Sequence, residues 1–364
     1  MLQFLSLFFL LVIITSTMTG GKIATLNKTN KRALIVCLTL LGILAAFRSP
    51  LVGNDTLEYI RIFDECEDLL KFGARFENGY LYYNFVLHNI YPHAQFLFIV
   101  TSVFFYFSLG RLMWRFSTIP CLSLLFFFVI SYSTTLSMMR QFMAMCILMY
   151  SLDFIIERKW IKFVLIVLLA SLFHTSAILF LAVLPISYMK IRESTIFYFF
   201  IAAIFGYFLF SDILAYFFST TIFSSYEHYS EGKYFEGDTR LASVVNLILS
   251  LIFLQIAIVA YNRTTKSWRV SIEGKKYKLL LLLQFVTVVI NVMCLKVNLL
   301  DRLAFYYSIF SIILIPNAIM LLSKKNRWFI GASLLLILLS YSSAIILFRP
   351  GWNHVYPIEL YWGL

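Results

Sequence analysis

Charge is what this sequence lacks. Of its 364 residues, 13% are charged and 61% are apolar, whereas a soluble domain carries roughly 25% charged residues. A chain so poor in charge cannot cover itself with polar surface, so the usual division of 364 residues into two or three soluble domains does not apply. Cysteine is scarce as well, at five residues. Cys37, Cys121, Cys146 and Cys294 fall inside apolar runs and Cys66 stands alone in a polar stretch. With no CxxC pair and no even external set, neither a disulfide framework nor a metal site is indicated. His88, His93, His228 and His354 share no metal-ligand spacing. There is no P-loop, GxGxxG or GxSxG, which argues against an ATP-driven pump or a soluble nucleotide-sugar enzyme. No cofactor is expected. No internal repeat or low-complexity linker is visible.

What is present is long apolar runs punctuated by basic loops. The net charge of +12 is carried by Lys and Arg at 22–32, 111–115, 157–162, 190–192, 263–278 and 324–327. That distribution is the positive-inside signature, not a phosphate-binding stripe, so no nucleic-acid partner is expected. Apolar runs occur at 2–19, 33–47, 94–110, 119–135, 137–156, 160–187, 195–218, 241–261, 277–296, 303–322 and 328–348. They predict a single all-α transmembrane domain over 1–364, a polytopic helical bundle of about eleven membrane segments. The first 19 residues hold no Lys or Arg and read as an uncleaved first helix rather than a signal peptide.

Loop charges orient these segments. Lys22, Lys28, Lys31 and Arg32 place the first loop in the cytoplasm, so the N-terminus, the stretch 48–93 and the loop 219–240 are expected outside. The scheme closes only if 160–187 is a re-entrant helical hairpin that breaks near Phe173-His174-Thr175-Ser176, since each half, about 14 residues, is too short to span. Within 48–93, Leu57, Ile60, Phe63, Cys66 and Leu70 recur at helical spacing opposite Glu58, Arg61, Glu65 and Asp68. They predict an amphipathic helix over 56–71 on the outer interface. A second, over 79–91, carries Tyr80, Tyr82, Tyr83 and Tyr91.

Ionisable groups at membrane depth cost roughly 2.5–3.5 kcal/mol each on insertion scales, so each needs a reason. Arg140, Arg240 and Arg302 each open a helix that runs inward from outside. A cation there opposes both the charge rule and the helix macrodipole. An anion such as a phosphate would remove both costs; pairing of Asp301 and Asp238 with the neighbouring arginines is the plainer account. His174 near the hairpin tip is either a satisfied buried histidine or a group that binds or deprotonates a hydroxyl. Asp55 and Glu77 read either as helix-start acids or as candidate bases for a sugar hydroxyl. Asp153 and Glu157 read as solvated or paired with Arg158.

These residues also carry a resemblance. Gly53-Asn54-Asp55-Thr56-Leu57-Glu58-Tyr59 followed by Phe76-Glu77-Asn78-Gly79-Tyr80 resembles the first outer loop of EpsG-family proteins. Met139-Arg140-Gln141-Phe142-Met143-Ala144 is similar to that family's arginine–glutamine helix start. Ala170 to Ala177 resembles its histidine element, and Asp301-Arg302 with Tyr306-Tyr307 its late arginine. Asn54 before Asp55, Asn78 after Glu77 and a short loop 219–240 depart from the pattern.

The resemblance implies a Wzy-like polymerase for capsule or exopolysaccharide in the bacterial plasma membrane, multi-pass. Such an enzyme joins undecaprenyl-diphosphate-linked oligosaccharide repeat units on the outer face, beside a flippase and a chain-length regulator of the same pathway. Arg140 and Arg302, with Arg240, would hold the diphosphate. His174, or one of Asp55 and Glu77, would take the acceptor proton, with no metal required. A flippase of the same units and a membrane acyltransferase modifying the polysaccharide are the alternative readings.

Overall fold

The computed structural model describes residues 1–20, 28–73, 76–218, 240–298 and 300–361. The expected loop 219–240 lies outside the described residues except for Arg240, as does Lys22. The chain is helical throughout: α1 (Leu2–Thr19), α2 (Lys28–Ala46), α3 (Thr56–Asp64), α4 (Cys66–Phe72), α5 (Asn78–Ile90), α6 (Ala94–Phe116), α7 (Pro120–Ile130), α8 (Tyr132–Ser137), α9 (Met139–Ile156), α10 (Trp160–Ser171), a 3-10 segment (Thr175–Ala182), α11 (Val183–Ser187), α12 (Glu193–Phe218), α13 (Leu241–Asn262), α14 (Lys266–Val270), α15 (Ile272–Met293), α16 (Leu300–Ser308), α17 (Ser311–Leu321) and α18 (Lys324–Phe348). Among the described residues the only β pairing is one isolated antiparallel bridge, Arg48 with Leu360.

Local chemistry sets the ends. α1 stops where Gly20 takes φ +56 and its N–H donates to the Ser16 and Thr17 carbonyls. α6 begins at His93, whose Nδ1 accepts from the Gln95 N–H at 3.2 Å. α7 opens on Pro120, where no amide donor is needed.

Among the described residues, seven helices, α1, α2, α6, α9, α13, α15 and α18, have the length and apolar character to cross a membrane, and α16 with α17, bent by 44°, form at most an eighth. The expected count of about eleven is not reached among the described residues, and three of the apolar runs are divided. Run 119–135 is divided at Ser131 into α7 and α8, and run 303–322 between Ser308 and Ser311. Run 160–187 is divided after Ser171, where the histidine element was expected to break it, and neither part reaches spanning length.

The chain forms two compact units, Met1–Leu181 with Leu322–Leu364, and Ala182–Leu321. In the first, α2 packs on α6, α6 on α9 and α9 on α10. The stretch 56–71 departs from expectation in two ways. It is two helices joined at Glu65, and its apolar face is sheathed in protein: Tyr59, Ile62 and Phe63 pack with Tyr80, Phe98 and Met139 in one core, while Leu57 stays 58% exposed. Its acids and bases pair along the helix, Arg61 with Glu58 at 2.7 Å and Lys71 with Glu67 at 2.6 Å.

The segment after α18 folds back onto this end of the unit. The Ser49 N–H donates to the Glu359 carbonyl at 2.7 Å, Gly53 N–H to His354 at 2.8 Å and Tyr361 N–H to Phe47 at 2.9 Å. Gln3 is bonded twice to Ile358, donating from Nε2 at 3.1 Å and accepting at Oε1 at 2.5 Å.

At the far end of α6 and α9, Asp153 is buried between Arg111 and Arg115 rather than paired with Arg158; Arg115 grips it through Nε at 3.0 Å and a terminal nitrogen at 2.8 Å. Glu157 pairs with Lys159 at 2.6 Å.

In the second unit, α15 is bound antiparallel to α13 by polar side chains reaching backbone. Tyr277 donates to the Ala257 carbonyl at 2.9 Å, Gln284 to Ser250 at 2.9 Å and Asn291 to Asn246 at 3.4 Å.

Candidate functional site

Three of the sequence candidates meet in the first unit. Glu77 stands at the N-cap position of α5 but does not cap it. Its carboxylate is turned outward from its own helix instead. Oε2 accepts from the Arg140 guanidinium at 2.8 Å. Oε1 lies 3.1 Å from His174 Nδ1 and accepts from the Thr175 backbone N–H at 3.0 Å. The carboxylate is only 11% exposed, and Arg140 and His174 are each 24% exposed.

Burial by itself pushes the Glu77 carboxyl up, but the His174 bond, the Arg140 charge and the Thr175 amide together outweigh it and hold the group at about 2. Glu77 is therefore ionised at neutral pH and can only accept, so the hydrogen on the shared edge of His174 sits on Nδ1. In neutral His174 this leaves the lone pair on Nε2.

The scaffold that makes this possible is visible in the Glu77-Asn78-Gly79-Tyr80 run. The first turn of α5 rests on the turn that ends α10: the Tyr80 N–H donates to the Leu172 carbonyl at 3.2 Å. A Cβ on Gly79 would lie 2.6 Å from both that oxygen and the Leu172 Cβ, so only glycine permits the contact. His174 is in turn fixed because its N–H donates to the Ala170 carbonyl at 3.1 Å, continuing α10 past its end. Arg140 is steadied from below by the Phe76 ring, 5.0 Å from its guanidinium carbon, and the Tyr80 ring at 5.9 Å. Arg140 Nε is buried with no hydrogen-bond partner.

Sequence reasoning placed no acid beside Arg140, because it looked only at chain neighbours. Glu77 is the acid, 63 positions away. The same limit hid Gly79 and the Thr175 amide, although the Glu-Asn-Gly-Tyr run signalled a tight approach.

Asp55 has the N-cap position of α3 with no capping bond, and it does not join the Glu77 cluster. Its neighbours are held firmly: Gly53 has φ +96, and a Cβ there would meet the Leu136 carbonyl at 2.7 Å. The Asn54 N–H donates to Ser137 Oγ at 3.1 Å and its Nδ2 to the Trp352 carbonyl at 2.7 Å.

Arg240 and Arg302 belong to the second unit. Arg240 precedes α13, Arg302 is in the first turn of α16, and both are exposed. Asp301, expected as the partner of Arg302, lies within electrostatic range of Arg240. Among the described residues no group of three His, Cys, Asp or Glu is placed to hold a metal ion.

Residues 31–360 match the family model described as the EpsG family. No curated protein and no solved structure matches the chain.

Proposed function

From the premise that this chain belongs to the EpsG family of Wzy-like polysaccharide polymerases, we propose that it joins undecaprenyl-diphosphate-linked oligosaccharide repeat units on the outer face of the bacterial plasma membrane. The observation that carries the reading is the Glu77–His174 pair beside Arg140. A histidine whose Nδ1–H is fixed by an ionised carboxylate presents its other nitrogen as a general base. That is what a hydroxyl acceptor needs, and it is more than lipid translocation requires.

In this account the acceptor sugar hydroxyl attacks the anomeric carbon of the donor chain. Its proton passes to His174 Nε2, a new glycosidic C–O bond forms, and the bond from that carbon to the diphosphate oxygen breaks. The lipid diphosphate leaves with the electron pair. Glu77, already ionised and engaged by donors from Arg140, His174 and Thr175, is a positioning residue and not the base. Arg140 fixes Glu77 and has an Nε–H to spare for the leaving group. Arg302 and Arg240 are assigned to the diphosphate charge. Asp55, on a rigid loop, is assigned to the acceptor sugar. The broken segment 160–187 is read as a re-entrant element that carries His174 from the outer side.

The test is the profile of lipid-linked glycans in a deletion strain complemented with variants. Wild type restores long polymer. H174A and E77Q leave single units on the outer leaflet, and R302A shortens or abolishes polymer. Accumulation of units on the inner leaflet would make the protein a flippase, and full polymer from H174A would end the base assignment.

A further inference from the structure

The turn between α13 and α15 is more firmly built than a link between two spans requires. Both helices are long and apolar enough to cross a membrane, and they run antiparallel, so residues 263–271 stand where both end. α14 is capped by Thr265, whose hydroxyl accepts from the Trp268 N–H at 3.3 Å, and α15 by Ser271, which accepts from the Gly274 N–H at 3.2 Å. Arg269 donates to Thr264 Oγ1 and to the Tyr261 carbonyl, each at 3.0 Å, and covers the Tyr261 ring at 4.4 Å. Tyr261 stacks on Tyr277, and Trp268 meets Tyr277 edge to face at 5.8 Å. A Cβ on Gly274 would collide with the Trp268 carbonyl oxygen and the Arg269 Cα. Only glycine lets α14 press on the first turn of α15 in this way.

The scaffold holds a mixed surface outward. Val270 is 71% exposed and Ile272 62%. Lys266 precedes Val270 by one helical turn in α14, and Lys275 follows Ile272 by one turn in α15, so each apolar side chain shares a helix face with a lysine. Arg263, Lys266 and Lys275 are exposed, and among the described residues no ion pair reaches them. Glu273, the only acid in 263–278, is paired with Lys276 at 2.9 Å. Large apolar side chains this exposed are unfavourable in water, and lysines beside them are unfavourable in hydrocarbon. Both costs fall at one depth, the headgroup layer, where the apolar groups dip inward and the ammonium groups stay among lipid phosphates.

We propose that α14 and the first turn of α15 form a docking platform for anionic phospholipid, with Lys266, Lys275 and Arg263 on the headgroups and Val270 and Ile272 seated at the acyl boundary. The positive surface is complementary to acidic headgroups. The occupant is the bilayer's own lipid rather than an acidic protein segment, because the platform stands at the ends of two spanning helices, where headgroups already surround it. Its rigidity fits the role. Arg269, Trp268 and Gly274 fix the turn from within, so the exposed cations are presented without the entropic cost of ordering a loop. The platform does not rest on the polymerase reading.

The protein's own cysteines are buried, so a thiol-reactive fluorophore on V270C reports on the platform alone. Full-length V270C is reconstituted in nanodiscs of phosphatidylcholine, or of phosphatidylcholine and phosphatidylglycerol in equal parts, and the label is quenched with aqueous acrylamide, which is uncharged. Quenching is expected to be severalfold weaker in the acidic discs, and added salt is expected to narrow the difference. K266Q/K275Q in the V270C background is expected to remove most of it. Should V270C not fold, I272C carries the label. Equal quenching of V270C in the two discs overturns the platform, and so does a difference unchanged by K266Q/K275Q. A label on L57C, beside Glu58, is expected to show no dependence on lipid charge; an equal drop there makes the effect general and overturns the assignment. Stronger protection of V270C by polyglutamate in phosphatidylcholine discs than by phosphatidylglycerol also overturns it, in favour of an acidic protein partner. Polymer formation enters none of these readouts, so failure of the polymerase reading and failure of the platform are recorded separately.

Discussion

Gly79 and Leu172 meet so closely that a Cβ on the glycine would lie 2.6 Å from both the Leu172 backbone oxygen and its Cβ. The contact joins the helix start that carries Glu77 to the turn that carries His174. G79A must therefore push the two apart, at a cost of about 1–3 kcal/mol for overpacking. Polymer yield is expected to fall at least tenfold, with a lower melting temperature. G351A, with nothing within 4 Å of its Cβ, is the silent control. Wild-type polymer from G79A would show that the turn can yield.

The Glu77 carboxyl gives a pH signature with a definite sign. Its folded value, about 2, lies below the ordinary 4.5. The stability it contributes is thus complete above about pH 4.5 and disappears as pH falls toward 2, amounting to ~3 kcal/mol at most. Thermal melts between pH 7 and pH 3 should show wild type losing stability on acidification and E77Q losing less. Parallel curves for the two proteins would mean that Glu77 is not held as described.

Asp153 is the hub of the opposite end of α6 and α9, so its loss should matter more than the loss of either arginine. Arg115 is 47% exposed and Arg111 26%, so solvent discounts both pairs. D153A is expected to cost about 1–3 kcal/mol, R111A less, and R115A least. Melting temperatures of the three variants give the order directly. A larger effect from R115A than from D153A contradicts the arrangement.

The return segment makes a covalent prediction. The Ser49 N–H donates to the Glu359 carbonyl at 2.7 Å beside the antiparallel bridge of Arg48 with Leu360, and directly opposed residues of an antiparallel pair have Cα atoms about 5 Å apart, within disulfide reach. The S49C/E359C pair should oxidise to a cross-link that shifts mobility after proteolysis between the two positions, while polymer formation is retained. Removal of residues 352–364 should release Gly53 and Asn54 from the His354 and Trp352 carbonyls and abolish polymer. A pair that resists oxidation, or a truncated chain that polymerises normally, would refute the clasp.

How much of this could be read in the chain varies by residue. Helix positions follow apolar runs closely, because α1, α6, α9 and α13 begin and end within a few residues of the hydropathic limits. The breaks at Ser131 and between Ser308 and Ser311 were not legible, since no Pro or Gly marks either, and a run of apolar residues hides a kink made by packing. Glu77, Arg140 and His174 each stood out singly. Their meeting did not, because separations of 63 and 97 positions have no local signature.

The folded-back segment also orders events in time. Gln3 is bound to Ile358, 355 positions later, and Asn54 to Trp352, 298 positions later. During synthesis the loop bearing Asp55 emerges early and cannot take its final form until α18 has been made and inserted. The end bearing Asp55 is thus fastened only by a segment made after α18. A molecule halted before that point would be largely helical, with this loop left unfastened.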